Sequence, residues 1–283
     1  MKKIAYFCVK MTPEREQILT EEKIKYKATN FSINPNDPQY HMSFRVTTKD
    51  QCWPRIRENF TDKYYPMYFI EFEQNELDEA EWLTFRSKNM KLNSMNWNTF
   101  RYTCPKSDDT NIRYSYHEDQ LSPFEFSSVK WSNNNHFYSS YEGGFHIIFC
   151  DDYACDIINK NGLVGVRFDG VLKYKKNVYL PNVHQMVYPN VLPLESMVLD
   201  EAKKEISCPY CGKKKYVINR EFRLKIKREF IDESLDFYDT IKMFNMDETG
   251  SVHSIPIISK HAYSVLKSHN LIRNLVFEPV ILL

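Results

Sequence analysis

IFCDDYACDIINKNGLVGVRFDGV (148–171) and IISKHAYSVLKSHNLIRNLVFEPV (257–280) are the stretches on which the fold is read. Laid side by side without a gap, Asn161 stands against Asn270, Phe168 against Phe277 and Val171 against Val280, while Asp169 faces Glu278. Each copy opens on a short apolar strand ending in a small residue, Cys150 or Ser259. A helix follows, and then a second strand that carries the Phe. Cys150 and Ser259 stand at N-cap or near-cap positions, and the serine is the better acceptor for the orphan backbone N–H groups of a helix start. The repetition predicts two strand-helix-strand units with equivalent buried Phe residues. The competing account is that any two such units drift into this degree of similarity.

Between the copies lie a polar strand, Lys175 to Leu180, a proline-rich connection to Leu194, and the stretch ISCPYCGKKKY (206–216). Its two cysteines are separated by two residues, and Gly212 follows the second. This is the turn by which half of a zinc ribbon aims two thiolates at one ion, the glycine supplying a positive φ. Cys-Pro-Tyr-Cys also occurs at redox sites, but there a helix follows the motif. Here Phe222, Leu224 and Ile226 alternate with Arg223, Lys225 and Lys227, which predicts a strand and so a hairpin. A structural zinc needs four ligands. Two readings stand: zinc held by Cys208 and Cys211, with Cys150 and Cys155 as candidates for the remaining ligands, or a metal-free turn.

The ending from Ile257 through Ser259 to Val280 resembles the C-terminal module of immunity proteins from bacterial polymorphic-toxin systems. The CxxCG turn upstream is similar to one half of the double-CXXCG-motif family, associated with contact-dependent toxin immunity. The resemblance covers residues 143 to 283, and this chain carries one CxxCG where that family carries two. It implies a protein that binds and blocks a cognate toxin, with no chemistry of its own.

Composition is compatible with that reading. The 283 residues suffice for a substantial core, and a net charge of +1 offers no global attraction to nucleic acid or acidic membranes. Seven cysteines, an odd number, without a secretory leader point to a reducing cytoplasm. Met1-Lys2-Lys3 is a basic start, but the apolar run from Ile4 to Val9 is too short for a signal core, and nothing approaches a membrane span. All seven glycines lie after residue 142, so residues 1–142 hold no phosphate-binding glycine loop, and no P-loop spacing follows later. The fold expected is α+β: an aromatic, glycine-free part (1–142) and a C-terminal part (143–283).

In the first part, Lys3 to Val9 and Tyr64 to Glu73 read as strands, with a polar, proline-punctuated stretch to Thr48 between them. Asn75 reads as the N-cap of a helix from Glu76 to Arg86, with Glu76, Asp78, Glu79 and Glu81 on an acidic face. Residues 93–141 are dense in aromatic side chains, Asn and Ser, as suits twisted antiparallel strands.

Charge supplies the candidate surfaces. Lys213, Lys214, Lys215, Arg223, Lys225 and Lys227 form a basic stripe, read either as a nucleic-acid contact or as protection of an edge strand. The segment holding Asp232, Glu233 and Asp236 is acidic, as are Asp247 and Glu248 beyond it. It and the Glu76–Glu81 face are the expected docking surfaces for a basic toxin cleft. Catalytic patterns are sparse: there is no His-Glu-x-x-His and no Gly-x-Ser-x-Gly. Asp200, Glu201 and Lys203 only faintly match a nuclease acid/lysine set, and Cys104 with His117 reads as core or as a nucleophile pair. The runner-up function is a nucleic-acid-binding or nuclease-related component of a defence system.

Overall fold

A computed structural model describes residues 1–30, 40–61, 67–88, 90–92, 100–102, 118–120, 122–131, 134–140, 144–202, 204–208, 212, 214–218, 221–245 and 253–283. The fold is mixed α+β. It comprises two compact units, Met1–Gln74 and Asn75–Leu283. The strand Trp82–Ser87 belongs to the second unit, where it hydrogen-bonds to Ile257–Ser259 on one side and Leu275–Pro279 on the other.

In the first unit, β1 (Lys2–Lys10) buries Ala5, Phe7 and Val9 on one face. Helix α1 (Pro13–Glu21) starts where Thr12 Oγ1 accepts the Arg15 N–H at 3.3 Å, with Pro13 in the first-turn position that tolerates it. Strands β2 (Lys27–Asn30) and β3 (Tyr40–Thr47), helix α2 (Trp53–Phe60) and β4 (Met67–Glu71) complete it. The sheet order is β2-β3-β1-β4, and every neighbour is antiparallel. That is the βαββαβ ferredoxin-like topology. Phe7 and Phe44 are register partners stacked at 4.8 Å, and Phe60 of α2 meets both rings edge-on. The sequence reading of this unit as a polar run between two strands missed both helices.

The second unit opens with α3 (Gln74–Glu79) and β5 (Trp82–Ser87). The expected helix to Arg86 stops at Glu79. Trp82, Leu83 and Phe85 are β-formers, and β5 is buried on both faces, with Leu83 and Phe85 in one core cluster and Trp82 in another. Next come β6 (Met90–Leu92), β7 (Phe100–Tyr102), β8 (Glu118–Gln120), β9 (Glu125–Phe126), β10 (Phe137–Ser140) and β11 (Gly144–Cys150). Helix α4 (Asp152–Lys160), β12 (Arg167–Lys173) and β13 (Tyr179–Val187) follow. The strand expected at Lys175–Leu180 begins only at Tyr179, because Lys175 and Asn177 adopt φ of 58° and 43° in a turn. Beyond them lie β14 (Val191–Leu192), β15 (Lys204–Ser207), β16 (Lys214–Val217), β17 (Lys225–Ile226), β18 (Phe237–Thr240) and β19 (Phe244–Asn245). The chain closes with β20 (Ile257–Ser259), α5 (Lys260–Ser268), β21 (Leu275–Pro279) and β22 (Ile281–Leu282).

Two larger sheets organise this unit: β6-β10-β11-β13-β12-β9 and β14-β18-β20-β5-β21. β11 and β12 each pair antiparallel with β13 between them, and β20 and β21 do the same with β5. Both strand-helix-strand stretches are thus split by an antiparallel strand. Ala154, Cys155 and Ile158 of α4 share one core with Ala262, Tyr263 and Leu266 of α5. The first N-cap is Asp151 rather than Cys150: its carboxylate accepts the Ala154 N–H at 2.9 Å, while Cys150 lies in the core. Ser259 caps α5 by accepting the Ala262 N–H at 3.0 Å. Gly162 and Asn270 hold the left-handed turns after the two helices. Caps and turns therefore correspond one residue out of step with the alignment of Asn161 to Asn270. Phe277 is buried and Phe168 half-buried, both against the same core.

Candidate functional site

Two acidic segments, far apart in the chain, meet at one cation. Glu81, just before β5, accepts two hydrogen bonds from the Arg228 guanidinium, at 2.7 and 2.8 Å, which hold its carboxyl below the usual range. Glu233 lies 3.7 Å from the same guanidinium. The Glu81 carbonyl also accepts the Lys260 N–H at 2.8 Å, and the Asp236 carbonyl the Ser259 N–H at 2.9 Å, so the end of β20 ties both segments together. Glu79, Asp232 and Glu233 are exposed. Asp232 closes a turn on itself, accepting from Ser234 N–H and Oγ, and these bonds lower its pKa. Asp78 pairs with Lys267 of α5, and Glu76 is half-buried.

Asp236 is not a surface residue. It is 7 % exposed, accepts from the Val164 N–H at 3.1 Å and from Ser259 Oγ at 2.5 Å, and bonds His261 Nδ1 at 3.1 Å. Ser259, Asp236 and His261 do not form a nucleophile relay: the hydroxyl faces the carboxylate, whereas activation requires it to face an imidazole. Asp236 instead holds the α5 cap and the loop before β12.

The basic stripe is largely committed inside the fold. Lys215 is fully buried, contrary to a solvent-facing role, because β16 buries Lys215, Tyr216 and Val217 in succession. Lys214 pairs with Glu205 at 2.8 Å; Lys225 pairs with Asp200 and Glu201, at 3.0 and 2.7 Å, which raise its pKa. Arg223 donates to the Pro279 carbonyl, and Lys227 sits over the Phe230 ring. Phe222, Leu224 and Ile226 are buried in alternation as expected, but only Lys225–Ile226 form a strand, paired in parallel with β22 and not in a hairpin.

Around the CxxCG turn, β15 and β16 pair antiparallel, Gly212 has φ of 71°, and its N–H donates to the Cys208 carbonyl at 2.9 Å. Cys208 is buried. Cys211 and Lys213 lie outside the described residues, as do Cys104, His117, Lys203, Asp247 and Glu248. Cys150 and Cys155 face each other across 3.3 Å in the core of β11 and α4, where burial pushes the Cys150 thiol well up. Among the described residues no three His, Cys, Asp or Glu side chains group to hold a metal ion, and that includes Cys150, Cys155 and Cys208.

One feature escaped the sequence reading. An open cleft of about 760 Å³ is lined by Asn134, His136 and Tyr153 and, from the end of α5 onward, by His269, Asn270, Ile272 and Arg273. The His136 Nδ1 is bonded to Asp151 at 2.8 Å, and its ring packs on Tyr153 at 5.0 Å between centroids. Next to it, Asp152 bonds His184 Nε2 at 2.6 Å, and its N–H donates to Asn182 at 2.7 Å. More than a hundred residues separate His136 from Arg273, so no local spacing betrays the cleft. The one available signal was that Tyr153 and the His269–Arg273 turn both belong to the repeated stretches.

No protein-family model matches the chain, and no curated protein matches it in sequence. Among the described residues no helix is long and apolar enough to cross a membrane.

Proposed function

We propose that the chain is a cytoplasmic immunity-type protein that binds a cognate toxin and occludes its active site through one acidic face. The observation that carries this reading is the meeting of Glu81 and Glu233 at Arg228, which joins two separately predicted acidic segments into a single surface. Glu79, Glu81, Asp232 and Glu233 form its exposed part, and Arg228 is embedded among them. A basic cleft docking there gains through charge complementarity, chiefly in the rate of association. The resemblance of residues 143–283 to toxin-immunity modules supports the same reading.

The experiment is co-expression with candidate toxin domains, the product of the neighbouring gene first. The wild type restores growth and co-purifies with the toxin; a variant carrying Glu79→Lys, Glu81→Lys, Asp232→Lys and Glu233→Lys folds but does neither. Full rescue by that variant would move the interface off the acidic face; salt-sensitive binding of RNA or DNA without toxin binding would replace this reading with the nucleic-acid one.

The zinc knuckle belongs to the same proposal. Cys208 and Cys211 would supply two thiolates on the Gly212 turn, and the other donors would come from beyond Cys150 and Cys155. Elemental analysis giving close to one zinc per chain, lost in Cys208→Ser, supports it; folded protein without zinc leaves the metal-free turn.

A further inference from the structure

The cleft between the start of α4 and the end of α5 is a polar feature that the acidic-face reading does not use. Its lining holds an arginine, two histidines, two asparagines and a tyrosine. In a chain with 37 acidic residues, no carboxylate lines it among the described residues. The carboxylates of α4 and its N-cap are already engaged. Asp151 is spent on the Ala154 N–H and His136, Asp152 on His184, and Asp156 on Lys160. Arg273 is exposed and makes no ion pair among the described residues. An arginine that shares its cleft with two imidazoles and, among the described residues, with no carboxylate favours an anion with several acceptor oxygens, and phosphate suits a guanidinium.

The start of α4 gives the cleft an aromatic lining residue. Tyr153 is 46 % exposed with its ring tilted against His136, which leaves ring face available to a ligand. Such a face stacks on a flat heterocycle, and the amides of Asn134 and Asn270 present both donors and acceptors to its edge. The volume lies within the range of small-molecule sites, roughly 300–1,000 Å³.

We propose that this cleft binds a mononucleotide, its phosphate on Arg273 and His269 and its base against Tyr153. His136, fixed by Asp151, is a positioning residue that holds the tyrosine ring. The proposal is independent of the acidic face, which shares none of its residues.

Titration calorimetry on the full chain tests it with four nucleoside monophosphates, the matching nucleosides and inorganic phosphate. At least one monophosphate binds, and its nucleoside and inorganic phosphate bind at least about tenfold more weakly, a difference of about 1.4 kcal/mol. Arg273→Gln weakens the monophosphate at least about tenfold while leaving nucleoside binding alone, and Tyr153→Ala removes the preference for monophosphate over inorganic phosphate. Both side chains are exposed, and unchanged melting of each variant confirms its fold. Absence of binding at millimolar concentration overturns the proposal, as does monophosphate binding that both variants leave intact. Tight binding only of an RNA oligonucleotide carrying a terminal phosphate would also overturn it, assigning the cleft to a strand end.

Discussion

Arg228 grips Glu81 through a two-pronged ion pair across 147 residues of chain, both partners more than half exposed. Such a pair contributes little to stability, because water screens it and ordering two side chains costs entropy. Its larger effect is on the field: it places the only guanidinium of the proposed interface among carboxylates.

Arg228→Gln should therefore leave unfolding within about 1 kcal/mol of the wild type. Association with a basic toxin should accelerate at low salt, and the gain should shrink toward physiological ionic strength, where the screening length is about 8 Å. Stopped-flow rates over a salt series measure this. A rate equal to the wild type at every salt concentration would remove the acidic face as the interface.

Gly165 and Gly162 make a second, controlled comparison. Gly165 has φ of +100°, and a Cβ there would sit 2.4 Å from the Phe237 carbonyl oxygen, where the loop crosses β18. Gly162 has φ of +66° and open space around it. Alanine at 162 should cost about 1 kcal/mol from the left-handed backbone alone. At 165 strain and overpacking add, for on the order of 3 kcal/mol or more. Urea midpoints decide, and a Gly165→Ala variant no weaker than Gly162→Ala would mean that the crossing loop yields freely.

The chain uses one device four times: a strand, a helix and a parallel strand split by an antiparallel one. β1-α1-β2 is split by β3, β3-α2-β4 by β1, β11-α4-β12 by β13, and β20-α5-β21 by β5. Only the last two were legible, because their helices bury three residues each at helical spacing. In α1, Leu19 alone is buried among Glu14, Arg15, Glu16 and Gln17, so periodicity carries almost no signal there. β5 was misread because acids precede it and its pairing partners lie about 170 to 200 residues downstream in sequence. The β-forming Trp82, Leu83 and Phe85 agree with that pairing, and the acids ahead of them were the misleading signal. Of the site residues, the exposed acids were visible as charge runs. The burial of Asp236 and Lys215 depends on β18, β20 and β16, which no local pattern encodes.

Phe277 and Phe168 test the equivalence of the repeated units. Phe277 is 7 % exposed and meets Tyr263 edge-on at 5.0 Å, so Phe277→Ala should cost roughly 3–5 kcal/mol as a core cavity. Phe168 is half-buried, and its truncation should cost clearly less. Denaturant titration of both variants checks the order, and a larger loss at Phe168 would show that the two positions are not related as the alignment suggests.

Asp239 and His253 make opposite demands on pH. Asp239 accepts hydrogen bonds from Ser254 Oγ at 2.7 Å and the Thr240 N–H at 3.0 Å, yet desolvation outweighs both and pushes its carboxyl from 3.8 up to about 7. The folded chain then keeps a proton that the unfolded chain has released, so stability falls as pH rises from about 4 to about 7. His253 is driven the other way by burial, from 6.5 down to about 4. There the unfolded chain binds the extra proton, and stability falls as pH drops from about 6.5 to about 4. Between those limits the two slopes oppose each other, and the wild type hides both. In Asp239→Asn the amide oxygen still accepts from the Thr240 N–H and the NH2 donates to the Ser254 hydroxyl, but the group no longer titrates. Measured against the wild type, this variant should gain stability progressively from pH 4 to pH 7. His253→Gln should show the reverse, gaining on the wild type as pH falls from 6.5 to 4. Urea unfolding at half-unit pH steps gives both difference curves, and flat differences would mean that neither group is desolvated as its surroundings imply.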